Sequence, residues 1–114
     1  MTEPRLTSSV LVGALIRRAE AEGGFAAVLA KGDPTSGSIL VMLTERGAPP
    51  RIYERILQPD GRYGWQEAVV AEESGSSSLQ DFIARRRRFD PDLWLIELDI
   101  PSAERFAAEL TAFG

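Results

Sequence analysis

Residues 80–94 read QDFIARRRRFDPDLW, with Arg85, Arg86, Arg87 and Arg88 in succession. Guanidinium groups stay charged and grip carboxylates and phosphates through paired donors, so this run is the first candidate for holding an anion or an acidic partner. Its chemistry depends on where each side chain points. On a helix, Leu79, Phe82, Ile83 and Phe89 form an apolar stripe, and Arg86 falls inside it. Arg85, Arg87 and Arg88 fall on the flanks and outer face. An arginine in an apolar stripe either runs its stem over the core edge to reach water or meets a carboxylate. Asp90, Asp92, Glu97 and Asp99 are the nearest acids by chain position.

Other constellations offer less. The stretch KGDPTSG (31–37) has the glycines, lysine and hydroxyls of a phosphate loop in the wrong order, with a strand rather than a helix after it. It reads as a hairpin turn begun by Asp33-Pro34, with Gly32 and Gly37 supplying unusual backbone angles. Glu97 and Asp99 share one face of a strand and could hold a hard cation or divide into acid and base, but no third ligand accompanies them. Tyr53, Tyr63 and Trp65 lie on neighbouring strands and read as cross-strand packing. The chain has no Cys and no His, which removes thiolate nucleophiles, a Ser-His-Asp triad and the usual zinc ligands. We assign no catalytic residue, no metal and no cofactor. The candidates for binding an anion or a partner are Arg17, Arg18, Asp33, Arg86, Arg87 and Asp92.

The elements that must position these residues follow from periodicity. SSVLVGALIRRAEAEGG reads as a helix with N-cap candidates Thr7, Ser8 and Ser9 and a stop at Gly23-Gly24. Its apolar face carries Leu11, Val12, Leu15, Ile16 and Ala19, with Arg17 opposite and Arg18 on the flank. Four strand-like runs come next: 25–31, 38–44, 51–57 and 62–70. The second is apolar on both faces, as a central strand is. PDG before the fourth is a turn signal, and the short connections suggest an antiparallel meander of these four strands. EESGSSS (72–78) reads as a polar, flexible connection. The arginine helix then runs up to Asp90-Pro91. DLWLIELDI (92–100) alternates, with Trp94, Ile96, Leu98 and Ile100 on one face. A last helix begins at Ser102, with Glu104 and Glu109 outward and Phe106, Leu110 and Phe113 inward. The order is α-β-β-β-β-α-β-α, an α+β class with a mostly antiparallel sheet of about five strands. We expect the first helix and the arginine helix to cover one face of it.

Composition bounds the function. Residues 1–114 suit a single α+β domain, with residues 1–6 as a loose N-terminal tail. Hydrophobic residues make up 44% and the formal charge is −4, which disfavours wholesale attraction to nucleic acid or anionic lipid. Acids at Asp81, Asp90 and Asp92 flank the arginine run, and its charges fan around the helix, so nucleic-acid binding is not expected. No apolar run reaches the roughly 18 residues that span a bilayer, and MTEPRLTSS lacks a secretory signal pattern. A cytoplasmic location is the expectation.

Three stretches carry a resemblance: ALIRRAEAEGGFAAVLAKGDPTSGSILV, the DGRYGW turn and ARRRRFDPDLWLIELD. In this order, over most of residues 10–100, the chain resembles the bacterial, mainly alphaproteobacterial, domain of unknown function 1491 family. The segment from Pro101 reads as individual to this chain. The resemblance implies a compact cytoplasmic domain and brings no activity, cofactor or catalytic residue. Arg17, Arg18, Gly32, Asp33, Gly37, the arginine helix and Asp90 to Trp94 carry it, and two accounts of them stand. Either Asp33 or Asp92 pairs with Arg17, Arg18 or Arg86 to clamp helices onto the sheet, or these residues line a shared cleft. We expect a small non-enzymatic interaction or accessory module, with a protein partner or a second copy pairing along an edge strand. The alternative is a small anion-binding protein or enzyme that uses arginine and carboxylate side chains.

Overall fold

A computed structural model describes residues 7–46, 48–68 and 76–113. The expected tail at 1–6, the start of the serine connection (72–75), and Val69 and Val70 lie outside the described residues. The order is helix α1 (Ser8–Ala21), strands β1 (Phe25–Ala30), β2 (Ile39–Thr44), β3 (Arg51–Leu57) and β4 (Tyr63–Ala68), helix α2 (Ser76–Phe89), strand β5 (Trp94–Asp99) and helix α3 (Ala103–Phe113). This is the expected α+β order.

The sheet runs β1-β5-β2-β3-β4. The meander therefore holds only for β2, β3 and β4, and the expected β1–β2 pairing is replaced. Strand β5 lies between them, antiparallel to β1 and parallel to β2, with Ile39 opposite Trp94 and Thr44 opposite Asp99. A parallel neighbour needs a crossover connection, and α2 supplies it by passing over the sheet between β4 and β5. Burial explains the order. β2 is buried at Ile39, Leu40, Val41, Met42 and Leu43, and β5 at Trp94, Leu95, Ile96 and Leu98. These are the two strands able to tolerate cover on both faces.

The helices divide between the faces, against the expectation that α1 and α2 share one. Leu11, Val12, Leu15 and Ala19 of α1, with Ala103, Phe106, Ala107 and Leu110 of α3, pack on Val41, Leu43, Tyr53, Trp65, Trp94, Ile96 and Leu98. Ile83 of α2, with Leu79 and Phe82 beside it, packs on Leu40, Met42, Ile52, Leu93 and Leu95 on the opposite face. The larger cluster holds Phe106, 1% exposed. Burying such a ring stabilises by about 1.5–3 kcal/mol.

Local chemistry sets the helix ends. Glu22 and the two glycines close α1: the Gly24 N–H donates to the Ala19 carbonyl (2.9 Å) and the Gly23 N–H to that of Glu20 (3.0 Å). This pattern needs the left-handed φ of 86° that Gly23 takes. At the other end Thr7 caps α1, and the loop before β2 takes up its free amides. Ser8 N–H donates to the Thr35 carbonyl (3.2 Å) and Ser9 N–H to that of Pro34 (2.9 Å). The Ser8 hydroxyl, buried, donates to the Gly37 carbonyl (2.6 Å). Helix α3 starts on Ser102, and Glu45 accepts from the Ala103 N–H (2.7 Å). That bond ties the end of β2 to the helix. No described helix is long and apolar enough to cross a membrane.

Candidate functional site

The loop 31–38 is a structural joint. The Asp33 carboxylate accepts from the N–H groups of Ser36 (2.8 Å) and Thr35 (3.1 Å) and from the Ser36 hydroxyl (3.2 Å). Those bonds, the Ser36 amide first, hold its pKa below the usual carboxylate range. Its main chain bonds to the start of β5: Asp33 N–H to the Asp92 carbonyl (3.0 Å), and the Trp94 indole N–H to the Asp33 carbonyl (2.7 Å). Gly32 and Gly37 are required by close approach, not by unusual angles. A β-carbon on either would overlap the Asp92 carbonyl and crowd the Trp94 ring. The loop is no hairpin turn, since it steps over β5. Asp33 and Asp92 do come together, but through their main chains.

Nor does either aspartate clamp an arginine by its side chain among the described residues. The Arg86 guanidinium pairs with Glu54 on β3, an acid outside the four nearest by chain position. Arg86 is indeed on the inward side of α2, its side chain 27% exposed and that of Glu54 24%. The hydrogen bond that Arg86 donates to Glu54 raises the Arg86 pKa further. Arg18 on α1 pairs with Glu109 of α3 and lies 3.6 Å from Glu22. Glu109, expected outward, is thus half-buried and links α1 to α3. Arg17 is exposed. Arg17 and Arg18 therefore sit across the sheet from Arg86 and Arg87, so the six candidates do not form one cleft.

The remaining candidates resolve similarly. Tyr53 and Trp65 are core residues, 5% and 6% exposed, as the packing reading expects. Burial raises the Tyr53 pKa. Glu97 and Asp99 share the α2 face, and Asp99 accepts from the Arg46 N–H (2.9 Å). No group of three or more carboxylates placed to hold a metal occurs among the described residues.

Two features remain, and they adjoin. The first is the edge strand β1. Phe25, Val28 and Leu29 are 76%, 45% and 47% exposed, and no residue of FAAVLA is charged. A bulge falls between Val28 and Ala30. The other edge is different: β4 carries Glu67, which Arg51 holds through two hydrogen bonds (3.1 and 3.2 Å). Charged edges resist pairing, and an uncharged apolar edge invites it.

The second feature is an open cleft of about 680 Å³ where β1 ends beneath the C-terminal turn of α2. Leu29, Ala30 and Leu93 form apolar wall, and Lys31, Arg87 and Arg88 supply cations, with Asp90 the one acid among the described residues that line it. Lys31, Arg87 and Arg88 make no ion pair among the described residues. Part of their placement is ordinary, since cations favour a helix C-terminus. Arg87 was legible as a candidate from the run. Arg88 belonged to the same run without being singled out, and Lys31 and Phe25 were not legible, because only the strand order shows that β1 is an edge with α2 ending beside it.

The comparisons agree with this fold. The model of the family described as "Protein of unknown function (DUF1491)" matches residues 6–108. The similarity therefore extends into α3, and the segment after Pro101 is not individual to this chain. A crystal structure of a DUF1491 family protein from Caulobacter crescentus CB15 shares 33% identity, covering 90% of this chain and 94% of that one, with a TM-score of 0.76. An NMR structure of a DUF1491 family protein from the same organism gives 32% identity, 91% and 94% coverage, and a TM-score of 0.77. The solution structure of protein Atu0922 from A. tumefaciens gives 32% identity, 90% and 92% coverage, and a TM-score of 0.74. Among curated proteins the comparison finds no match. With a family match over nearly the whole chain and this structural likeness, the protein belongs to the DUF1491 family.

Proposed function

We propose that this chain is a small non-enzymatic interaction module, a single domain working in the cytoplasm, which docks a partner along the free edge of β1. One observation carries the reading: β1 is an uncharged edge strand with Phe25, Val28 and Leu29 exposed, while the opposite edge bears an ion pair. Strand addition takes affinity from main-chain hydrogen bonds and selectivity from alternate side chains. An edge of this composition offers both.

The test is affinity capture from a bacterial lysate, with nuclease, using wild type, Val28→Lys, and a bait with Arg85, Arg87 and Arg88 changed to Glu. A protein captured by wild type and lost with Val28→Lys is the expected result. Capture that survives Val28→Lys counts against the edge.

A second reading is favoured by Lys31, Arg87 and Arg88 around the cleft: a site for a small anion, such as a carboxylate or phosphate compound. It expects capture to yield no protein, and a melting temperature raised by organic phosphates or dicarboxylates in wild type alone. Nucleic acid is disfavoured, because the arginines fan around α2 and the formal charge is −4. Elution from heparin at low salt is expected.

A further inference from the structure

The edge reading leaves the partner open, and the inference here rests on that reading. The register of β1 with β5 fixes which side chains face α2. Phe25 lies opposite Asp99, Ala27 opposite Glu97 and, past the bulge, Ala30 opposite Leu95. Leu95 and Ala30 pack in the α2-side cluster, so Phe25, Ala27, Glu97 and Asp99 belong to that same face. The Phe25 end of the edge therefore presents an exposed aromatic ring with the half-exposed Asp99 carboxylate one strand inboard, while Glu97 stands beside the middle of the strand. Arg46, bound through its N–H to Asp99, is the cation there. The other end, on the same face, presents the cleft with Lys31, Arg87 and Arg88 and apolar walls at Leu29 and Ala30. Projection and hollow, acid and base, stand at opposite ends of one uncharged strand.

We propose that β1 pairs antiparallel with β1 of a second copy, each Phe25 ring seating in the other copy's cleft. Antiparallel pairing about a two-fold axis normal to the sheet keeps both α2 helices on one side and reverses the ends. Phe25 of one copy then lies across from Ala30 of the other, one strand spacing of about 4.8 Å away. The ring covers Leu29 and Ala30, and the guanidinium groups of Arg87 and Arg88 can lie against its face. Asp99 of one copy, one strand inboard of Phe25, faces the end that carries the cations of the other. Parallel pairing instead sets carboxylates beside carboxylates and cations beside cations, which charge opposes. A strand edge alone is smaller than the roughly 800 Å² per partner of a standard interface. The seated rings and the two charge contacts supply the remainder and the register.

Sedimentation equilibrium over a range of protein concentrations tests this, with circular dichroism checking that every variant folds. Wild type is expected to form a dimer, and Val28→Lys to be monomeric. Phe25→Ser should weaken association by roughly 100–10,000-fold, the loss of both seated rings at about 10–100-fold each. Asp99→Lys places like charges at both ends of its own dimer, and so does the double variant Arg87→Glu, Arg88→Glu. Mixed together these two variants are complementary at both ends, so the mixture should dimerise where neither does alone. A wild type that stays monomeric, a dimer indifferent to Val28→Lys and Phe25→Ser, or a mixture no tighter than its components overturns the proposal. Monomeric wild type with lysate capture abolished by Val28→Lys refutes the second copy and spares the edge reading. Capture that ignores Val28→Lys refutes the edge reading itself.

Discussion

Replacing Arg86 by Met tests whether the misfit in the apolar stripe of α2 is a structural pair. The guanidinium meets Glu54 across the α2–β3 contact, with the Phe82 ring 6.0 Å away. Met keeps much of the stem and removes the charge, so Glu54 keeps its carboxylate without its cation. A fully buried carboxylate left so would cost about 3–5 kcal/mol, whereas an exposed pair is worth about 0–1 kcal/mol. Both side chains are about a quarter exposed, which places the expected loss between these limits, at about 1–2 kcal/mol. For a small domain that is roughly 5–10 °C in Tm. Glu54→Met should cost a similar amount. The double variant should recover most of the loss, because two apolar side chains satisfy each other over Leu40, Ile52 and Phe82. Urea unfolding of the four proteins of this cycle gives the coupling directly. A coupling within error of zero, with Arg86→Met melting like wild type, would mean that the guanidinium is solvated and the pair contributes nothing.

Three more outcomes follow from the joint and the core. Phe106→Ala should lose about 3–5 kcal/mol in urea unfolding, since the ring is buried between α3 and the sheet and leaves a cavity; a loss under 1 kcal/mol, about a single methylene, would show that the space collapses. Gly37→Ala should lower stability by about 1–3 kcal/mol, because the new methyl meets main chain at Asp92 rather than a movable side chain. Melting as wild type would show that the loop can shift off β5. Asp33 has a folded pKa below its unfolded value, so its contribution is complete above the ordinary aspartate range and disappears as pH falls through the lowered value. The Tm difference between wild type and Asp33→Ala should therefore be largest near neutral pH and shrink in acid; a difference independent of pH would contradict this.

The elements were legible because each carries its own period. The α1 stripe of Leu11, Leu15 and Ala19 and the β5 alternation of Trp94, Ile96 and Leu98 appear in the structure as read. Strand order was not legible, since hydrophobic period fixes which face of a strand is covered and says nothing of its neighbour. One signal was available: β2 is apolar on both sides, and β5 is so over its first half through Leu95, with Leu93 just before it, and such strands suit the centre. Arg86 could be recognised as a misfit from its wheel position alone. Glu54 could not be found as its partner, because that depends on the β2–β3 register and on α2 crossing over it. The residues on which the resemblance was read proved mostly architectural: Gly32, Asp33, Gly37 and Asp92 join the loop to β5, and Arg18 links α1 to α3. The candidate edge surfaced only with the topology, which exposes Phe25 and Leu29 and brings Lys31 beside Arg87.

Amide hydrogen exchange along β1, at low and at high protein concentration, asks most directly whether this edge is a docking surface. Pairing with a second copy predicts slower exchange with rising concentration, confined to the outward amides of Phe25–Ala30 and absent in Val28→Lys. Exchange in β1 that is fast and the same at every concentration, in wild type and variant alike, would contradict it.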